Sequence, residues 1–346
     1  MASREWPDEF TTSHTSPTLG QEWLWLPVEW TWWVVTQLIL SVVGIVGNLL
    51  VMTVIFRRGR SQFATDVLIA SLAFADFCTS LWMIPRPHAV VLPRTWVGRL
   101  YCRLEYSNIF MWISAVASVF TLSVISVERF LAVAYPFRFK HWFTARRSLS
   151  IVAFNWLLSA LLNSFVIVIS EHDINTNSCV TLLLSRVANA SSGAILFLCK
   201  YVIPITIMIG SHCGITKELR AQTQSFQVDG EVPAPVLKII KTMHDMTRTV
   251  FIVVVLFIVC WSPDQICFFL FNLGLYPAYL YSDVYRVFVC LAFINSCCNP
   301  FIYSARNRKF RRALRELCGC QRNFSGKILS PIFGAAKSSV LRKMGK

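Results

Sequence analysis

Apolar residues recur along this chain in long runs, without the two-residue alternation of a half-buried strand or the narrow stripe of a surface helix. Seven runs are long enough to cross a bilayer core as helix, which takes about 20 mostly apolar residues. They cover residues 30–56, 63–92, 100–134, 147–170, 192–220, 238–272 and 279–304. The cleanest stretch, 250–261 (VFIVVVLFIVCW), has no charge over three turns, whereas the fifth run carries Lys200 and His212. Soluble buried helices do not recur seven times at this length without a polar stripe. The pattern therefore predicts an all-α membrane protein, a seven-transmembrane helix bundle over 30–304 with an N-terminal tail over 1–29.

Composition agrees. Hydrophobic residues make up 55% and charged residues 15% of the 346-residue chain, against roughly 25% charged in soluble proteins. Disorder, a fibrous repeat and a small disulfide-knit domain are excluded, and a compact soluble enzyme is disfavoured. The net charge of +15 would suit nucleic acid only on a soluble surface, so its placement decides. The side that carries the loops after the first, third and fifth spans and the segment after the seventh holds 25 of the 33 basic residues, those at the span ends included. By the excess of Lys and Arg in short cytoplasmic loops, that side is cytoplasmic, and an odd number of spans puts the N-terminus outside. The charge then faces anionic lipid rather than nucleic acid. The tail ahead of the first span is acidic (Glu5, Asp8, Glu9, Glu22, Glu29 against Arg4) and lacks the layout of a cleaved signal peptide. The first span is expected to serve as an uncleaved anchor. Residues 11–18 and the loop 221–236 read as flexible. There is no internal repeat and no pair of matching broken helices of the transporter kind.

Of twelve cysteines, only Cys102 and Cys179 fall in or beside loops predicted to be extracellular, where disulfides persist; they could pair and tie the second extracellular loop to the top of span three. Cys318 and Cys320 follow a short basic amphipathic stretch, where they could be acylated or stand as free thiols at the membrane edge. No His/Cys cluster has zinc spacing.

Ionisable and amide groups inside spans are costly unless partnered. Asp76 lies mid-span between Ala75 and Phe77, with Ser118, Asn295, Ser296 and Asn299 at similar depth on other spans. This set could hold a hydrated monovalent cation, or a proton on the carboxylate, or form a plain interhelical network. In span six Trp261, Asp264, Gln265 and Phe268 share one helical face. Lys200 sits in the same half of span five, so a Lys200–Asp264 contact is expected, either as a structural ion pair or as part of a ligand site. Arg86 and Arg286 lie near the extracellular ends of spans two and seven, where they could contact a ligand or snorkel to water. Pro204, Pro263 and Pro300 each interrupt an apolar span and remove a backbone hydrogen bond there, which suggests a bundle built to change shape.

At this point the chain resembles the rhodopsin-like G-protein-coupled receptors, over residues 30–318 and one motif per span. Gly47-Asn48 matches the pair in span one, and Leu72-Ala73 leading to Asp76 matches span two. Glu128-Arg129-Phe130 stands for the family's Asp/Glu-Arg-Tyr, with Pro136 following, and Trp156 and Pro204 match spans four and five. Phe257, Cys260, Trp261 and Pro263 match the span-six motif, Asn299-Pro300 with Tyr303 matches NPxxY, and Phe310 among basic residues matches a short amphipathic helix eight, here 305–318, before a tail over 319–346.

The resemblance implies a switch at Trp261, Phe257, Pro204, Val119, Asn299, Pro300 and Tyr303, and coupling to a heterotrimeric G protein through Glu128, Arg129 and Phe130. It implies no cofactor, but an allosteric sodium ion at Asp76, Ser118, Asn295, Ser296 and Asn299. Four departures stand out. Cys102 lies 27 residues before Arg129 where the family spaces them by 25, and Trp96-Val97-Gly98 is one residue short of the usual loop-one motif. His212 replaces a span-five Tyr. Met243 stands where many members carry an acid that holds Arg129, which implies basal activity.

Met111 occupies the place of the amine-binding Asp and Phe293 that of the retinal-binding Lys, so amine and retinal ligands are disfavoured, leaving a peptide or a lipid-like molecule. The resemblance is closest to neuropeptide receptors of the galanin or allatostatin kind. It implies a peptide pocket drawing on Asp264, Gln265, Phe268, Lys200, Met111, Arg86 and Arg286, under a second extracellular loop (171–191) long enough for a hairpin. Alternatives of other classes are a decoy that binds without signalling and, more weakly, a transporter or channel; no paired catalytic groups suggest an enzyme. Asn189-Ala190-Ser191 is a glycosylation sequon close to the membrane.

Overall fold

The computed structural model describes residues 22–57, 64–182, 184–228, 234–306 and 311. Among them, seven helical segments are long and apolar enough to cross a membrane: Trp32–Arg57, Ala64–Trp82, Trp96–Ala134, Ala145–Ile169, Arg186–Ala221, Thr247–Asn272 and Asp283–Ala305. These are spans one to seven below. Helix eight, with Phe310, and the acylation candidates Cys318 and Cys320 lie outside the described residues, as do most of the N-terminal tail and the tail over 319–346.

The outward faces are apolar. On span one, Val35, Ile39, Val42, Val46 and Leu49 are exposed at alternating four- and three-residue spacing, which is a single helical stripe. Leu149, Phe154, Leu157 and Leu161 are likewise exposed on span four. Contiguous exposed apolar surface of this extent disfavours a water-facing bundle and suits a lipid environment. Inside, span three forms the axis of the main cluster. Ala115, Val119, Leu122 and Ile125 of that span pack with Leu68, Leu72, Val152, Met208, Val253, Phe257 and Trp261 from the spans around it. Spans one, two and seven approach closely through glycines. A Cβ on Gly44 would come within 2.1 Å of Ser80 Oγ, and one on Gly47 within 2.8 Å of Pro300 Cγ.

Several boundaries differ from the hydropathy pattern, each for a backbone reason. Span two stops at Trp82 rather than running to residue 92, because Pro85 and Pro87 cannot continue a helix. Residues His88–Val91 instead form strand β2, antiparallel to strand β1 (Leu24–Leu26) from the N-terminal tail. Span three is broken where Asn108 takes a left-handed conformation (φ 51°), just after a wide π-turn over Cys102–Tyr106. Span five begins in the predicted loop, capped by the Ser185 hydroxyl, which accepts from the Ala188 amide. A π-turn over Leu198–Val202 accommodates Pro204, consistent with the missing amide and the bulk of the ring. At its other end the helix continues to Val228, so the predicted loop from 221 is helical for two further turns.

The loop between spans four and five is a hairpin, as its length suggests: β3 (Ser170–Asp173) pairs with β4 (Ser178–Thr181). Asp173 holds its turn, accepting from the Asn175 amide at 2.9 Å and the Thr176 hydroxyl at 2.8 Å. These donors, the Asn175 amide foremost, pull the Asp173 carboxyl below its usual range. The two sheets are linked where the Leu92 amide donates to the Asn177 carbonyl at 2.7 Å.

Candidate functional site

A buried polar centre sits in the middle of the bundle. Asp76 is fully buried; its carboxylate accepts from Ser118 Oγ and from Asn299 Nδ2, each at 2.7 Å. Asn48 clips span one to span seven, donating to the Gly44 carbonyl at 2.9 Å and the Ser296 carbonyl at 3.1 Å. The amide oxygens of Asn48, Asn295 and Asn299 are buried without a hydrogen-bond partner. Orphaned oxygens of this kind are rare in folded proteins. Together with a carboxylate and a hydroxyl they are the hard oxygen donors that a small cation takes. The residues present therefore fit a sodium ion.

Above this centre, Trp261 and Phe257 pack one turn apart with ring centroids 6.1 Å from each other, in the same cluster as Val119. The Trp261 indole N–H is buried without a partner. Met111 is buried with Met83 and Phe293, an apolar floor with no counter-ion for an amine.

The expected contact between Lys200 and Asp264 is not made. Lys200 Nζ donates to Asn163 Oδ1 of span four at 2.7 Å. Asp264, 3% exposed, accepts from the Tyr279 hydroxyl and from Gln265 Nε2, both at 2.9 Å. A neutral amide can stand in for the carboxylate at Lys200, and a phenol and amide for the ammonium at Asp264, so each charge is satisfied without the other. Tyr279 is fully buried in the turn before span seven. Burial and, after it, the neighbouring Asp264 charge raise its phenol far above the usual value, so it remains a donor.

Phe268 stacks near Phe271 at 6.4 Å. Arg86 pairs with Glu105 at 2.6 Å and lies over the Trp82 ring. Arg286 pairs with Asp283 at 2.8 Å and lies over Trp33 of span one. The predicted ligand residues thus separate: Asp264 and Gln265 join Tyr279, Lys200 pairs with Asn163, and the two arginines are engaged by Glu105 and Trp82 and by Asp283 and Trp33. Tyr201 adds a contact across spans five and six, through its hydroxyl to that of Ser262.

At the other end, Glu128 is fully buried and Arg129 folds back on it, with Nε donating to Oε2 at 2.5 Å. Thr65 of span two joins them, its hydroxyl donating to Glu128 Oε1 at 2.5 Å and also meeting Arg129 Nη2. Phe130 packs with Val133, Ile215 and Leu219, and Gly214 gives it room, since a Cβ there would lie 2.5 Å from its ring. The side chain of Met243 is outside the described set. Pro300 lies within span seven, and Tyr303 packs against the cluster of Val51, Val54, Ile55 and Ala73. The Cys102–Cys179 disulfide is formed, with a Cα–Cα distance of 5.3 Å. The π-turn and the break at Asn108 both lie between Cys102 and Arg129.

The profile of the 7 transmembrane receptor (rhodopsin family) matches residues 47–303. The chain belongs to the rhodopsin family of seven-transmembrane receptors. It is a multi-pass membrane protein, a G-protein-coupled receptor and not an enzyme. The receptor is 28% identical to galanin receptor 2a of Danio rerio over 83% of this chain and 78% of that one. It is 26% identical to galanin receptor type 2 of Homo sapiens over 88% and 79% of the two chains. With galanin receptor type 1 of Mus musculus it shares 27% identity over 80% and 78%.

Four residues of these sites escape a linear reading: Thr65, Asn163, Tyr279 and Asn48 in its role as a clip. Thr65 and Asn163 are ordinary polar residues of spans whose partners are distant in sequence. Tyr279 stands among other tyrosines in a turn, with nothing local to mark it. The sequon residue Asn189 lies in the first turn of span five, its amide donating to the Leu184 carbonyl.

Proposed function

We propose that the receptor, with its N-terminus extracellular and its basic loops cytoplasmic, takes a neuropeptide at the extracellular end and passes its binding through span six to a G protein at Arg129. The observation that carries the peptide reading is the pairing of an apolar floor at Met111 with a polar rim of Asp264, Gln265, Lys200 and two strand pairs. A floor of Met83, Met111 and Phe293 offers no counter-ion to a small amine, while a rim of separate polar groups suits the repeated donors and acceptors of a peptide. Its relatives named for galanin support the same class of ligand.

Binding must favour one arrangement of the bundle over another, since only a difference in affinity shifts an equilibrium. Moving a population from 1:99 to 99:1 takes about 5.5 kcal/mol of such difference. Trp261 and Phe257, one and two turns below Asp264, relay a push on span six, with Pro263 between Trp261 and Asp264 weakening the helix. Span six then separates from span three and exposes Arg129 to the G protein.

A sodium ion would be held by Asp76, Ser118 and the free oxygens of Asn295 and Asn299, with Ser296 at their side, and would supply a charge that knits spans two, three and seven together. The receptor's own residues gather those donors and exclude water from them. An ion held there opposes agonist binding.

A screen of neuropeptides against G-protein activation in cells tests the proposal. Arg129→Ala is expected to abolish activation with binding retained, and Asp264→Ala to weaken binding about tenfold or more. A tag at the N-terminus should be stained on intact cells. Activation only by amines or lipids, or staining only after permeabilisation, would overturn the reading.

A further inference from the structure

The cytoplasmic halves of spans five and six enclose a groove that none of the roles above uses. It has a volume of about 550 Å³ and is lined by His212, Thr216, Arg220 and Gln224 of span five and by Arg248 and Phe251 of span six, among others. The span-five residues recur every four positions, one continuous face of a helix. His212 is 93% buried, yet its Nε2 has no hydrogen-bond partner. Its carbonyl is engaged by the Thr216 hydroxyl at 2.9 Å, and its ring meets the edge of Phe251 at 5.5 Å. Arg220 and Arg248 are exposed, and neither is ion-paired among the described residues. Glu218 projects about 200° around the helix from Thr216, away from this face. Phe251, 51% exposed, gives the groove an apolar outer wall.

Two guanidiniums and an imidazole nitrogen without partners among the described residues, beside an exposed aromatic ring, call for a ligand with one anionic end and one apolar end. Guanidinium groups pair with phosphate oxygens through two parallel hydrogen bonds. The inner leaflet supplies anionic headgroups at this depth, and basic pockets between spans on that side hold them. We propose that this groove binds an anionic lipid carrying a terminal phosphate, with Arg220 and Arg248 sharing the phosphate, His212 contacting it and an acyl chain lying along Phe251. The site rests on the assignment of the basic loops to the cytoplasm. A phosphate shared between the two spans links its own occupancy to the separation of their ends.

The test uses the purified full-length receptor in neutral detergent, with dioctanoyl phosphatidic acid as probe and bound lipid counted by native mass spectrometry. Dioctanoyl phosphatidylcholine and inorganic phosphate are the comparison arms. The expected result is one lipid held by the wild type, with affinity about tenfold weaker for each of Arg220→Gln and Arg248→Gln. R220K/R248K should restore part of the loss, and His212→Phe should give a smaller one. Equal binding by wild type and R220Q/R248Q overturns the site. Saturation by inorganic phosphate at the same concentration overturns the lipid in favour of a free anion, and equal retention of phosphatidylcholine leaves only an apolar groove. Counting bound lipid needs no agonist and no signal, so a failure here is separate from a failure of the peptide reading; tag staining on cells checks the orientation independently.

Discussion

Asp76 and Asp264 are both buried carboxylates, and they are satisfied by different kinds of partner. Asp76 takes its hydrogen bonds from spans three and seven, within rigid helices that stay close whatever the loops do. Around it remain amide oxygens with no partner. Asp264 takes one bond from the adjacent Gln265 and the other from Tyr279, in the turn that joins spans six and seven. The first arrangement has spare acceptors and suits a bound ion. The second has one oxygen tied to the turn, and moving the turn frees it. A ligand taking that oxygen displaces Tyr279, whereas an ion beside Asp76 meets amide oxygens with no partner to give up.

The largest effect expected from this contrast is at Tyr279. Tyr279→Phe leaves a buried carboxylate short of a donor, at a cost of about 2 kcal/mol. The unfolding midpoint of the purified receptor should fall, while Phe in place of Tyr106, which is exposed, should change it less. An unchanged midpoint in Tyr279→Phe would mean that the turn does not hold Asp264.

Next comes sodium. At a sodium concentration about ten times its dissociation constant, the folded receptor gains about 1.4 kcal/mol. The midpoint should therefore be higher in sodium than in N-methylglucamine chloride. Asp76→Asn should remove the difference and Asp264→Asn should keep it. Equal midpoints in the two salts for the wild type would break the contrast.

The smallest effect is at Asp173, a third carboxylate and a partly exposed one. Its folded pKa lies below the usual 3.8. The stability it lends the hairpin is therefore present above the unfolded value and is lost as pH falls through the folded one. Protection of the Asn175 amide from hydrogen exchange, relative to its intrinsic rate, should decline as pH drops below about 4 in the wild type and be flat in Asp173→Asn. A flat wild-type profile would remove the turn's dependence on the carboxylate.

The seven spans were legible because few surroundings except a bilayer accommodate so many long apolar runs. The residues of the Asp76 centre were legible because amides and acids are rare in such runs. What escaped was decided by backbone breaks and by distant partners. Hydropathy ran span two on to residue 92, since His88–Val91 is nearly as apolar as a helix, and only Pro85 and Pro87 mark the change to a strand. The pairing of that strand with Leu24–Leu26 joins segments more than 60 residues apart, and no local pattern records it. Lys200 and Asp264 looked like natural partners by charge and depth. Depth along two helices does not fix rotation about them, however, and Lys200 faces span four. Thr65 was unremarkable until Glu128 and Arg129 were placed beside it.

The disulfide has a covalent consequence of its own. Cys102 and Cys179 are 77 positions apart, so most of span three, all of span four and the loop between them lie on one closed ring. A single protease cut inside that ring leaves the receptor as one covalent piece until it is reduced, whereas a cut between spans five and six severs it at once. The same two nicks are thus told apart by running one sample with and without a reductant.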